Sequence, residues 1–227
     1  AGDAIINVPE MIAIAEQRSR AHADELTQAA HALARRFQMD IESRRWFGTL
    51  NHAPSYLAKR ARTFDHTFLI AAEGSLGQLE IAEAVVLGCG GPMWVLPGGE
   101  ARGHLERVAI AWDGSRAAAR ALRDALPILR AGTHVIILSA TDDKPMDDLQ
   151  LPEVQQLLEE HDLETSTILF CRGNRPIGVA LQEAAIEAGA GLLVMGAYGH
   201  NRLREFALGG ATRSVLSAPR LPVLMSH

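Results

Sequence analysis

Cysteine is scarce in this sequence. Its 227 residues hold two, Cys89 and Cys171, far apart and without CxxC spacing. That excludes a disulfide framework and a zinc knuckle, and both read as small core-lining thiols. The nine histidines show neither HExxH nor any other paired spacing, so no dedicated metal site is expected. A basic excess is missing too: 22 Lys and Arg stand against 27 Asp and Glu, a formal net charge of -5. A nucleic-acid binder would usually carry a basic face, so no nucleic-acid partner is expected. No apolar run approaches the roughly 20 residues that span a bilayer, so no membrane partner is expected either. The first residues, AGDAIINVPE, lack the basic start and apolar stretch of a signal peptide. The expected location is the cytoplasm.

What is present is apolar and ordered. Hydrophobic residues make up 48% and charged residues 22%, enough for a buried core under a solvated surface. The length fits one large domain or two of about 100 residues. The second half reads clearly. RVAIAW, Arg107 to Trp112, is a short apolar run and predicts a buried strand. DGS follows, and Ser115 is placed to cap a helix. That helix carries Ala118, Leu122, Ala125, Leu126 and Leu129 on one stripe, and Gly132 stops it. HVIILSA (134–140), TSTILFC (165–171) and GLLVMG (191–196) predict further strands, and residues 222–225 a last short one. Helices are predicted near 149–161, after Asn174 and Pro176 up to Gly189, and over 209–217. Strands alternating with amphipathic helices predict an α/β fold with a largely parallel sheet. The near-continuous apolar character of the strands predicts cover on both faces.

The first half shows the same order with less of it. Residues 10–37 read as a long helix, IESRRWF (41–47) as a strand, and Asn51 with Pro54 as a helix start. HTFLIAA (66–72) reads as a strand, 79–87 as a helix and PMWVLP (92–97) as a strand. Both halves end alike, in VVLGCGGPMWVLP and SVLSAPRLPVLMS, which predicts an internal repeat. The expected domains are 1–98 and 104–227, joined by PGGEARGHLE. The first half has no counterpart of RVAIAWDGS, its helix or HVIILSA. Two accounts stand: residues of the polypeptide not included in this sequence, or a truncated but folded repeat.

Ligands of open α/β sheets sit beyond the carboxyl ends of the strands, where strand order reverses. The residues there are Trp112-Asp113-Gly114, Ala140-Thr141 and Gly196 to Gly199. Glycines let a backbone approach an anion, and successive N–H groups make an anion-binding concavity. The helix start at Gly209, Gly210, Ala211 and Thr212 adds amides, and the Thr212 hydroxyl adds a donor. Asp113 is an acceptor suited to a ribose or a base edge. Alone, each has a plainer reading: Gly196 and Gly199 as turn glycines, Asp113 as a helix-entry residue, Trp112 as core. His200, Arg202, Arg204 and Arg213 read as solvated, with one arginine within possible reach of a phosphate.

Together they are more specific. Gly196-x2-Gly199-x9-Gly209, after a fourth strand and before a last helix, resembles the signature of the universal stress protein family, G-x2-G-x9-G-[S/T]. VAIAWDGS resembles that family's opening strand and PVLM its closing strand. The resemblance covers 104–227 and, more weakly, 10–98, as in a tandem member with a degenerate first repeat. It implies a flavodoxin-like, adenine-nucleotide-hydrolase-like fold with strand order 3-2-1-4-5. It also implies ATP, with or without magnesium, across the carboxyl edge. On the matching positions Asp113 would face the adenosine, and Ala111, Trp112 and Ala140 would line the base. Met195, Gly196, Gly199, Gly209, Gly210, Ala211 and Thr212 would hold ribose and phosphates. The family's dimers pair last strands. Here Pro92–Leu96 and Pro222–Met225 would pair within one chain, and a further homodimer is open.

Two departures bear on the site. Gly210 stands where the family has Ser or Thr, and Trp112 replaces a smaller residue, either to stack on adenine or to fill the base pocket. The first half has Ala72 where Gly196 stands, and Gly74 and Gly77 do not restore the spacing. That half is expected to bind no nucleotide and to serve as a pairing partner. No general base is assigned, His200 being a weak candidate, so at most slow hydrolysis is expected. There is no GxxxxGK[ST] and no SGGxDS-like loop, which sets aside Walker-type and ATP-pyrophosphatase-type chemistry. The competing reading is an interaction or dimerisation module that binds no nucleotide.

Overall fold

A computed structural model describes residues 7–49, 51–71, 76–99, 103–142, 150–199 and 210–227. Ala72, Gly74, His200, Arg202, Arg204 and Gly209 lie outside the described residues. The chain divides into two compact units, Ala1–Gly48 and Thr49–His227.

The first unit is a helix and the segment that returns along it. Helix α1 spans Val8–Arg36. Asn7 caps it reciprocally: its side chain accepts from the Glu10 N–H at 3.3 Å and donates to the Glu10 carboxylate at 3.0 Å. Residues 41–47 form no strand. A segment becomes a strand only where a neighbour completes the hydrogen-bond ladder. Here the side chains instead contact the helix: Arg45 pairs with Asp24, Ser43 bonds His31, and Arg20 lies 4.3 Å from the Phe47 ring centre.

Among its described residues the second unit holds seven strands in one sheet. They are β1 (Thr67–Ala71), β2 (Met93–Pro97), β3 (Arg107–Ala111), β4 (His134–Ala140), β5 (Glu164–Phe170), β6 (Leu192–Gly196) and β7 (Val223–Ser226). The helices are α2 (Ala53–Ala61), α3 (Leu76–Gly88), α4 (Arg116–Ala125), α5 (Leu151–Glu159), α6 (Ile177–Glu187) and α7 (Ala211–Ser217). The strand order is β1-β2-β7-β6-β3-β4-β5. Every pairing is parallel except β2 with β7, which runs antiparallel through Met93↔Met225, Trp94↔Leu224 and Val95↔Val223. Within residues 104–227 the order, read from β5, is third, second, first, fourth, fifth, which is the expected 3-2-1-4-5.

Side chains alternate between two apolar layers. Ala109, Ile136, Leu193, Met195 and Val223 pack with α3, α6 and α7. Val108, Ile110, Val135, Leu192, Val194 and Leu224 pack with α4 and α5. Burial on both faces is why these strands read as unbroken apolar runs. Two predicted caps differ. Helix α2 starts after His52, and α6 after Pro176, neither with a side-chain cap bond. Proline at a helix entry already fixes the backbone there, so Asn51 and Asn174 are not needed as caps.

Candidate functional site

Strands β4 and β5 continue from β3 to one side, and β6 and β7 lie on the other. The carboxyl ends of β3 and β6 therefore flank the point where strand order reverses. Chain geometry at that point follows from three residues. Gly114 takes φ +70°, a left-handed turn that glycine adopts without strain. Asp113 closes the turn by accepting the Ser115 N–H at 2.9 Å, and Ser115 then caps α4 by accepting the Ala118 N–H at 3.1 Å. The predicted Ser115 cap is thus observed, and Asp113 is partly engaged in the turn that enters the helix.

The end of β6 lies directly over this turn. A Cβ on Gly196 would sit 2.5 Å from Ala117 C and Ala118 N, and one on Gly199 would sit 2.9 Å from Ser115 Oγ. Both glycines are required for close approach, but the nearest atoms belong to α4 and its cap residue Ser115. The 196–199 loop is held from other sides as well. The Ala197 N–H donates to Ser226 O at 2.7 Å, and His227 Nδ1 donates to Ala197 O at 2.9 Å. The Tyr198 N–H donates to Thr212 Oγ1 at 3.0 Å, across to the first turn of α7. Gly210 is the N-cap residue of α7, and its carbonyl accepts the Ser214 N–H at 3.0 Å.

The three base-lining candidates separate. Ala111 packs at the edge of the α3, α6 and α7 layer, and Ala140 shares the face of Ile136 and Leu138 by alternation. Both are half-buried. Trp112 points to the opposite layer, where it is 7% exposed among Leu122, Val154 and Leu158. Its backbone is pinned on both sides: its N–H donates to Leu138 O and its carbonyl accepts the Ser139 hydroxyl, each at 2.8 Å. The plain core reading fits this placement; stacking on a base or filling a base pocket on the Ala111 side does not. Met195 is 2% exposed and serves the core. The structure brings together Asp113, Ser115, Gly196 and Gly199, and across from them Gly210, Ala211 and Thr212.

Contacts that the sequence did not announce include His227 and Asp142. Asp142, just beyond β4, accepts the N–H groups of Arg172 at 3.1 Å and Gly173 at 3.0 Å. The Arg172 amide, more than any other contact, holds its carboxyl below the ordinary value of 3.8. An acid after a strand has many roles, and no local pattern marks this one. Among the described residues no group of three His, Cys, Asp or Glu is placed to hold a metal ion. Nor is any described helix long and apolar enough to cross a membrane.

The sequence profile of the universal stress protein family matches residues 104–227. This chain belongs to the universal stress protein family. It is 26% identical over 123 residues to the universal stress protein Slr1230 of Synechocystis, a match covering 53% of this chain and 42% of that relative. The chain thus matches about two fifths of that relative's length. Among solved structures, a universal stress protein from Archaeoglobus fulgidus superposes with a TM-score of 0.71 at 19% identity, over 97% of this chain and 80% of that one. A protein of unknown function from Pseudomonas aeruginosa PAO1 superposes with a TM-score of 0.53 at 14% identity, over 90% of this chain and 77% of that one. At these identities the likeness is one of fold.

Proposed function

We propose that residues 104–227 bind an adenine nucleotide, ATP with or without magnesium, in a stress-response role, with no more than slow hydrolysis. One observation carries this reading. Two segments about 80 residues apart in the chain, Asp113–Ser115 and Gly196–Gly199, are packed against each other at the reversal of strand order. Asp113 offers a carboxylate for the ribose. Half-buried Ala111 and Ala140 leave the α6 side of the edge small and apolar for a base. Gly199, Gly210 and Ala211 offer backbone N–H groups for phosphate oxygens, and magnesium would be brought by the phosphates themselves. We read residues 1–98 as a degenerate repeat of 104–227, with the antiparallel β2–β7 pair as the seam between them. In that repeat Ala72 stands in place of Gly196, so it holds no nucleotide.

The other reading, a module of the same fold without a ligand, is favoured by two features. Gly210 has no hydroxyl, and the Thr212 hydroxyl is already bonded to Tyr198. Isothermal titration of the protein with ATP and magnesium separates the two. Saturable uptake, or adenine nucleotide found by mass spectrometry on the purified protein, supports the first. No uptake at millimolar ATP overturns it.

A further inference from the structure

We infer that Thr212 is a positioning residue of the nucleotide loop and not a contact of the ligand; this rests on the nucleotide reading above. A threonine in a glycine-rich phosphate segment would ordinarily be assigned to the phosphate. The structure assigns its oxygen elsewhere. Thr212 is 1% exposed, and its Oγ1 accepts the Tyr198 N–H at 3.0 Å. One lone pair is thereby used, and burial keeps the rest of the hydroxyl from a ligand that arrives from solvent.

The bond has a specific mechanical effect. Tyr198 has φ +53°, a left-handed backbone in a residue that is not glycine. Such a conformation persists where its surroundings over-determine it. Here the Ala197 N–H and carbonyl are held by Ser226 and His227, and the Tyr198 N–H by Thr212. The Tyr198 ring also meets the His227 ring edge-on, with centres 6.5 Å apart. Thr212 is the member of this set on α7. It ties the 196–199 turn to the 210–212 turn, the two ends that must stay at fixed separation to hold one phosphate chain. A site whose donors are pre-set loses less on binding. Thr212 therefore acts on the nucleotide through Tyr198.

The test pairs titration with ATP and magnesium with hydrogen exchange at the Tyr198 amide, on the whole 227-residue chain. In Thr212→Val, which keeps the shape and removes the acceptor, Tyr198 exchange rises at least tenfold. The Kd for ATP weakens about tenfold, because the loop must then be ordered at the expense of binding. Thr212→Ser, which restores the acceptor, recovers both. Thr212→Ala takes the place of Thr212→Val if that variant does not fold, and the same readings apply. Weaker ATP binding with Tyr198 exchange unchanged makes Thr212 a direct ligand contact and overturns the inference. Faster exchange with ATP affinity unchanged overturns it as well, since the tie would then be structural only. If the unsubstituted protein takes up no ATP, the nucleotide reading itself fails, which is a separate result seen before any substitution is made.

Discussion

At the scale of single residues, the two loop glycines do different work although they share a motif. An added Cβ at Gly196 meets backbone atoms of α4 at 2.5 Å, whereas at Gly199 it meets the Ser115 side-chain oxygen at 2.9 Å. Backbone in the first turn of a capped helix has nowhere to go, while the Ser115 side chain can turn aside by giving up its cap bond, at a cost of about 1 kcal/mol. Gly196→Ala should therefore destabilise by about 1–3 kcal/mol, the usual cost of overpacking, and Gly199→Ala by less. Thermal unfolding of the two variants side by side checks the order, and a larger loss at Gly199 would contradict the packing argument. Asp142 gives a second test at this scale. Its carboxyl titrates below 3.8 when folded, so its clamp on the Arg172 and Gly173 amides is in place above that value. The clamp is lost as pH falls through the depressed folded value. Amide shifts of Arg172 and Gly173 followed through an acid titration should have a midpoint below 3.8 and should lose that transition in Asp142→Asn. A midpoint at or above 3.8 would show that the amides do not report a native clamp.

At the scale of elements, β1 and β6 make an instructive pair. On the repeat reading, Phe68 and Ile70 correspond to Leu192 and Val194. The second pair is 0% exposed beneath α4, while the first is 62% and 64% exposed. Phe68 instead stacks on Trp94, with ring centres 5.4 Å apart and planes at 10°. On the same reading, the missing counterpart of RVAIAWDGS and its helix would leave that face bare. Leu192→Ala should cost about 2–5 kcal/mol, as core truncations do. Phe68→Ala should stay within about 0.5 kcal/mol, as surface changes do, while lowering the binding of a dye that reports exposed apolar surface. Chemical denaturation of both variants decides it, and equal losses would mean that Phe68 is covered in solution. The same comparison shows what was legible. HVIILSA and GLLVMG read correctly as strands because burial on both faces leaves an apolar run that needs no partner to recognise. IESRRWF has apolar residues only at its ends, Ile41, Trp46 and Phe47, and whether such a segment pairs depends on a neighbour elsewhere in the chain. That the turn after β3 and the loop after β6 would lie at one edge was legible from the strand-helix alternation and the rule that ligands sit where strand order reverses. The roles of Thr212 and Trp112 were not, because each depends on which layer buries the side chain.

At the scale of the whole molecule, the question is where the folding free energy resides. Among the described residues, both apolar layers lie between Ala61 and Met225, inside the second compact unit. In the first unit Val8, Met11, Ile12, Leu26 and Leu33 of α1 are all more than half exposed, and Ala34 is the buried residue of that helix. A helix draws most of its stability from packing an apolar face, not from propensity alone. The apolar burial that drives folding, at about 25 cal/mol per Å², is thus concentrated in residues 49–227. A protein consisting of those residues should retain the near-ultraviolet dichroism of the buried Trp112 and melt cooperatively within a few degrees of the full chain. It should also keep the ATP affinity of the full chain, because every residue assigned to the nucleotide lies after residue 104. A large fall in melting temperature, or loss of cooperativity, would show that α1 contributes to the core of the sheet after all. Unchanged melting with lost ATP uptake would place part of the ligand's environment in residues 1–48, a result that nothing in the Asp113–Gly196 geometry anticipates.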